Sequence, residues 1–334
     1  MNRIFLGPLS PEDLPAVESA SQDVPPGAWF VASGHHALRL LLRQQALRPG
    51  ARVALPALIC PTVVSAIRAE GLIPDFVDIE PEWQQMAFDA DRFARRGFDL
   101  ILLPHLYGAP HPLTREIRAF AGNQKIPLIH DAAQSFGVAL DGTPLVSLDQ
   151  GGLYSFGPGK ATTAATGGLV YGLGEEMARR FGLDRFPSWD PWAQFFLRQR
   201  MGIKVREPWS WLAWRGWNAS RIQVRAANLV MSRFAAIEQT RRLHWSRLQA
   251  ELGPELLGSF AERCGYFKFV LKTACPDWHP PPEWRHIPWR RVIRHPASGE
   301  LPNYHGLVDN LVELSTERSS ASFAASFSGD PEAA

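Results

Sequence analysis

Between residues 29 and 172, short apolar runs alternate with longer amphipathic stretches, and this alternation limits the possible folds more than any other feature. Residues 52–55, 75–78, 99–103 and 126–130 read as buried strands bounded by Pro, Gly or Asp. The stretch 36–47 places Leu38, Leu41, Leu42 and Leu47 on one helical face, and 61–70 and 113–120 behave alike. Strands alternating with helices imply an α/β fold, a mainly parallel sheet sandwiched by helices. Ligands of such sheets sit at the carboxyl ends of the strands. A further strand pair is expected near 152–156 and 168–171.

The texture then changes. Six of the twelve tryptophans, Trp189, Trp192, Trp209, Trp211, Trp214 and Trp217, fall between residues 181 and 217. A long helix is expected over 220–252 with Ser220 as its N-cap, then a strand near 266–271 and an irregular Pro- and Trp-rich loop over 275–289. The expected organisation is a large domain over 1–218 containing the tryptophan-rich insertion at about 181–217, then a linking helix and a shortened C-terminal α+β domain over 219–314. The Ser-, Ala- and Gly-rich stretch 315–334 is expected to be a disordered tail.

Composition excludes some classes. Lys plus Arg number 35 against 33 Asp plus Glu, and no basic stripe marks a nucleic-acid binder. Cys60, Cys264 and Cys275 form neither a disulfide framework nor zinc-ligand spacing, so no metal is expected. The N-terminal apolar run is too short for a signal peptide, and no stretch of about eighteen apolar residues occurs. The expectation is a cytoplasmic protein acting on small molecules.

Three strings carry the candidate chemistry: Ile129-His130-Asp131-Ala132-Ala133-Gln134-Ser135, Tyr154-Ser155-Phe156-Gly157-Pro158-Gly159-Lys160, and Ser33-Gly34-His35-His36. Together they suit pyridoxal phosphate (PLP). A lysine such as Lys160 can condense with the aldehyde, and a carboxylate such as Asp131 can keep the pyridine nitrogen protonated. The turn at Gly34 and His35 opens a helix whose N-terminus favours phosphate, and Ser155 adds a hydroxyl. Taken singly, Asp131 reads equally as a helix N-cap, Lys160 as a solvated charge, and Ser33-Gly34 as a plain helix start. A P-loop is excluded, because Tyr154 stands where its first glycine belongs and Ala161 follows the lysine.

In order and spacing the chain resembles the DegT/StrS-type sugar aminotransferases, PLP enzymes of fold type I. Their Ser-Gly-Thr turn, Val-Pro segment, Val-Asp-Ile-Asp and Pro-Val-His-x-Tyr-Gly strand ends, Glu-Asp-Ala-Ala-Gln string and Ser-Phe-x-x-x-Lys motif have counterparts here. These are Ser33-Gly34-His35, Leu55-Pro56, Val77-Asp78-Ile79-Glu80, Leu103-Pro104-His105-Leu106-Tyr107-Gly108, His130-Asp131-Ala132-Ala133-Gln134 and Ser155-Phe156-Gly157-Pro158-Gly159-Lys160. Thr166-Gly167-Gly168 and Ser220-Arg221-Ile222-Gln223 extend the likeness.

The resemblance implies a fold type I aminotransferase-like architecture and roles for named residues. Lys160 would be the Schiff-base lysine and proton shuttle, and Asp131 the pyridine partner. Gln134 would meet the cofactor ring or its phenolic oxygen, and Ser155, Gly34 and His35 the phosphate. His105 matches a histidine near the cofactor and reads equally as a core histidine capping a strand. His35 stands where the family has Thr, and Cys60 where it has the ring-stacking aromatic. The family's partner-subunit asparagine aligns near Gly216, with Asn218 as a substitute.

The implied activity is transfer of an amino group from an amino acid, glutamate by resemblance, to a keto group of a nucleotide-linked sugar, by a homodimer. Two alternatives stand beside it: a PLP enzyme of secondary metabolism acting on a non-sugar ketone or by another reaction, and a non-catalytic binding or scaffold descendant. The tryptophan-rich insertion reads first as a dimer contact or active-site cover. A nucleotide-diphosphate clamp and a membrane-surface segment are the other readings.

Overall fold

A computed structural model describes residues 13–157, 159–164, 166–185, 217–252, 268–272, 289–291 and 300–315. Strands β1 (Ala28–Val31), β2 (Arg52–Pro56), β3 (Ile73–Val77), β4 (Leu100–Pro104) and β5 (Leu128–Asp131) come first, followed by the hairpin β6 (Ala139–Leu140) and β7 (Thr143–Pro144), then β8 (Gly152–Ser155) and β9 (Gly168–Tyr171). Helices α1 (Leu14–Ser19), α2 (Gly34–Gln44), α3 (Pro61–Ala69), α4 (Ala90–Arg96), α5 (Thr114–Gln124) and α6 (Glu175–Arg180) lie among them. Beyond these come α7 (Arg221–Ser232), α8 (Phe234–Leu252), β10 (Lys268–Lys272), β11 (Trp289–Arg291), α9 (Pro302–Leu307) and β12 (Leu311–Ser315).

The main sheet has seven strands in the order β1-β9-β8-β5-β4-β2-β3. Its pairings are parallel except those made by β9, which runs against both β1 and β8. Both faces are covered, and the strand residues sort accordingly. Val53, Leu55, Leu100 and Leu102 join the core shared with α2 and α3, whereas Ala54, Ile101 and Leu103 join the core built by Phe93 of α4 and Phe120 of α5. Side chains alternate across a strand, so continuous apolar runs are required of strands covered on both sides. The expected mainly parallel, doubly covered sheet is what the chain forms.

Local signals set the ends of elements. Ser33 caps α2 by accepting from the His36 N–H, and Asp89 caps α4, which stops at Gly97 with φ 62°. Ser220 caps α7 in a capping box with Gln223, as expected, but the single helix expected over 220–252 is two helices. They meet at Arg233, where the redirected chain packs Phe234 against Phe136 at 4.8 Å between ring centroids. Propensity alone gives no reason to break there, and the contact formed just beyond it joins residues remote in sequence.

Strand β10 falls close to the expected 266–271, and a three-stranded antiparallel sheet forms in the order β10-β12-β11. Two of its members were not foreseen. Trp289, the last residue of the stretch whose composition predicts a loop, begins β11, and Ser315, the first residue of the Ser-, Ala- and Gly-rich stretch, closes β12. Both pair through backbone groups, to which composition is blind. Leu301, Tyr304, Leu307, Val308 and Leu311 belong to the same apolar cluster as α2 and α3. Asp78 accepts from the Asn303 and Tyr304 N–H groups at 3.0 and 2.8 Å, tying the start of α9 to the end of β3. The rest of the expected tail, Cys264, Cys275, Gly216 and the tryptophan-rich insertion except 181–185 and Trp217 lie outside the described residues. Among the described residues no helix is long and apolar enough to cross a membrane.

Two buried imidazoles are expected to make the fold acid-sensitive. Burial lowers both His36 and His111 from about 6.5 to about 4. The unfolded chain takes up these protons below about pH 6.5 and the folded chain refuses them until about 4, so stability is full above this window and falls through it on acidification. Each ring is expected to cost about 3 kcal/mol at pH 4. Urea unfolding midpoints between pH 7 and 4.5 check this, and a flat profile would refute it.

Candidate functional site

The carboxyl ends of β2, β4, β5 and β8 and the N-terminus of α2 surround a cleft open to solvent at its mouth. Its lining includes Gly34, His35, Cys60, His105, Asp131, Gln134, Ser155 and Lys160. Eight of the nine residues singled out in the sequence thus converge on one cavity. Asn218 does not. Its amide donates to the Gly182 and Arg185 carbonyls at 3.2 and 2.8 Å, away from the cleft of its own chain.

Asp131 ends β5 and is 7% exposed. Burial pushes its carboxyl above the usual carboxylate range, while the Lys160 ammonium and the Ala133 N–H, 3.0 Å from Oδ1, pull it back. A buried carboxylate facing a cavity favours a cationic partner there, because the charge is otherwise poorly compensated. Lys160 lies in the loop from β8 to β9. Its N–H donates to Thr163 Oγ1 at 3.0 Å, and that hydroxyl lies 2.8 Å from the Lys160 carbonyl and 3.1 Å from the Gly157 carbonyl. Thr163, 2% exposed, clasps the loop. A hydroxyl three residues after the lysine was the available signal, and the sequence reading missed it.

Gln134 has a defined orientation. The Tyr107 N–H donates to its Oε1 at 3.2 Å, leaving Nε2 as the donor for a cavity ligand. Tyr107 has φ 62°, a conformation that costs a bulky residue about 1 kcal/mol or more and recurs at functional sites. Among the described residues Ser155 Oγ accepts a long bond from the Gly157 N–H, at 3.4 Å, and its proton is directed to no acceptor. At Gly34 a Cβ would stand 2.8 Å from Ser155 Cβ and 2.9 Å from its Oγ, so only glycine lets this turn approach the hydroxyl so closely.

His35 Nδ1 lies 3.1 Å from the Thr62 carbonyl, so that nitrogen carries a proton, and burial lowers the ring's affinity for a second one. Cys60 is exposed at the rim, with Sγ 3.1 Å from Thr62 Oγ1, and Pro61 after it starts α3. His105 is fully buried and both its ring nitrogens are already engaged, by the His111 N–H and by His130. Among the described residues no group of three or more His, Cys, Asp or Glu could hold a metal.

The donor set fits PLP. A buried acid, an amine that interacts with it, an amide N–H₂, and a hydroxyl beside a glycine turn at a helix N-terminus match a ring nitrogen, an aldehyde, a phenolic oxygen and a phosphate.

The comparisons agree with this geometry. The chain is 32% identical over 161 residues to UDP-N-acetyl-3-dehydro-alpha-D-glucosamine 3-aminotransferase of Acidithiobacillus ferrooxidans, covering 47% of this chain and 43% of that protein. It is 31% identical over 144 residues to GDP-perosamine synthase of Escherichia coli O157:H7, covering 43% and 39%. The matched stretches thus span less than half of these relatives' own lengths. In three dimensions it matches a DegT DnrJ EryC1 StrS aminotransferase from Brucella abortus with a TM-score of 0.66 at 17% identity, over 90% of this chain and 83% of that one. The fold is therefore that of fold type I PLP aminotransferases. The sequence profile of the DegT/DnrJ/EryC1/StrS aminotransferase family matches residues 27–255. This chain belongs to that family.

Proposed function

We propose that the chain is a PLP-dependent aminotransferase that moves an amino group from an amino acid, glutamate by family resemblance, to a keto group of a nucleotide-linked sugar. The observation that carries this reading is Lys160 and Asp131 in one cavity, interacting electrostatically and joined there by Gln134, Ser155 and the α2 turn. When bound, PLP supplies an aldehyde that captures amines and a ring that accepts the electron pair released at the donor carbon. Lys160 Nζ takes the donor's α-proton and returns a proton in the reverse half. Asp131 would hold a proton on the ring nitrogen, and its buried site would strengthen that interaction. Gln134 Nε2 would donate to the phenolic oxygen, and Ser155 Oγ and the α2 N-terminus would hold the phosphate. The sugar-nucleotide assignment rests on the names of the two relatives above, since fold does not set substrate. A homodimer and a cytoplasmic location are part of the same proposal.

The test is direct. The purified protein is loaded with PLP, exposed to glutamate, and then offered a panel of nucleotide-linked ketosugars and simple ketones. Two half-reactions at one site predict parallel lines in double-reciprocal plots. Turnover of simple ketones alone would move the substrate to the non-sugar alternative, and no reaction with any donor would leave a binding role. Gly34→Ala is expected to weaken PLP binding about tenfold or more by forcing the turn off Ser155, with little change in melting temperature. Cofactor titration followed by absorbance reads this, and unchanged affinity would remove Gly34 from the phosphate site. Sedimentation as a monomer would dismiss the dimer.

A further inference from the structure

A hydrogen-bonded row of side chains runs from the cavity wall to the protein surface, and the proposed reaction does not use it. The His111 N–H donates to His105 Nδ1 at 2.9 Å. An amide N–H can only donate, so that nitrogen bears no proton and neutral His105 carries its proton on Nε2. His130 Nδ1, 2.9 Å away, must then accept. His130 in turn holds its proton on Nε2, which lies 2.8 Å from Asp149 Oδ2. The same oxygen receives Arg118 Nε at 2.8 Å, and the Asp149 side chain is 22% exposed.

Every donor in the row meets one acceptor, and all point the same way. The rings of His105 and His130 are fully buried and nearly parallel, 9° apart with centroids 5.2 Å from each other. A further proton on either ring would set two N–H groups face to face. The row therefore exists only while both rings are neutral. Burial and the neighbouring His130 and His111 hold His105 far below its ordinary protonation range, in agreement.

The row also ties two strand ends together. The His105 N–H donates to the Asp131 carbonyl at 2.9 Å, and Ser135 Oγ donates to the His105 carbonyl at 2.7 Å. Side-chain and backbone pairing thus lock the end of β4 to the end of β5, where Asp131 enters the cavity.

We propose that His130 and Asp149 are positioning residues that hold His105 as a neutral Nε2–H ring and so fix both the cavity wall it forms and the strand end bearing Asp131. The inference rests on the PLP reading for its consequence, though not for its geometry. With both nitrogens committed, His105 offers the cavity a ring surface and no proton.

Two measurements test it. In the cofactor-free protein with ¹⁵N-labelled histidine, long-range ¹H–¹⁵N spectra should show His105 and His130 as Nε2–H tautomers at pH 7. His130→Leu should weaken PLP binding about tenfold. His130→Gln should restore most of it, because its amide can accept from His105 and donate to Asp149. An Nδ1–H signal from either ring, or parental affinity in His130→Leu, overturns the proposal. Equal loss in His130→Leu and His130→Gln does so as well, since bulk alone would then account for the effect. A parent chain that binds no PLP sinks the functional reading and the positioning role with it, while the tautomer spectra still judge the row itself.

Discussion

Replacing Lys160 by alanine is expected to abolish the proposed transamination and the borohydride-fixable attachment of the cofactor while leaving the fold intact. The fold should survive because the loop is clasped through the Lys160 backbone, and Thr163 Oγ1 can keep its contacts with the N–H and carbonyl of that residue whatever its side chain. Activity is not expected to survive, because no other amine lines the cavity among the described residues. A positioned acid–base group is worth about 10²–10⁴-fold in rate, and loss of the covalent attachment adds to that. Mass spectrometry after borohydride reduction should find the cofactor on the parent chain and not on Lys160→Ala. Circular dichroism should find the two proteins alike. Turnover at the parental rate would end the assignment.

Asp131→Asn is expected to lower kcat/KM by about 10²–10³-fold, the range seen when one preorganised electrostatic partner is lost. The amide keeps an oxygen for the Ala133 N–H and is close to the carboxylate in volume, so packing is conserved. What changes is charge. Burial already disfavours the ionised carboxyl in the empty cavity, so the cofactor-free variant should be no less stable than the parent. The loaded proteins should differ, because a neutral amide no longer holds a proton on the ring nitrogen. Melting temperatures with and without PLP separate the cases. A variant destabilised equally in both states would show that Asp131 serves the fold and not the ring.

The division between sequence and structure follows from the range over which each signal acts. The layered α/β frame was legible because it is written in local periodicity. Continuous apolar runs at 52–55 and 99–103 can be satisfied only by strands covered on both faces, and the strand pair near 152–171 was also correctly placed. The site was legible in part because chemistry restricts residue type. An acid, an amine, a hydroxyl and a glycine turn at the ends of successive strands must meet wherever parallel strands end together. The break at Arg233 and the strands ending at Arg291 and Ser315 were not legible, since each involves partners remote in sequence.

The same holds at finer scale. The sequence marked Lys160, Asp131, Ser155, Gly34 and His35 as candidates by their chemistry and Gln134, Cys60 and His105 by family resemblance, and strand order made them neighbours. Only the tertiary structure decided their states. Which way the Gln134 amide faces depends on the Tyr107 N–H, and which nitrogen of His105 holds the proton depends on the amide of His111 and the ring of His130. It likewise turned Asn218 to carbonyls of its own chain. Residue type sets what a group can donate or accept, but a hydrogen bond needs its partner within about 3 Å along the right direction. Only the folded chain supplies that.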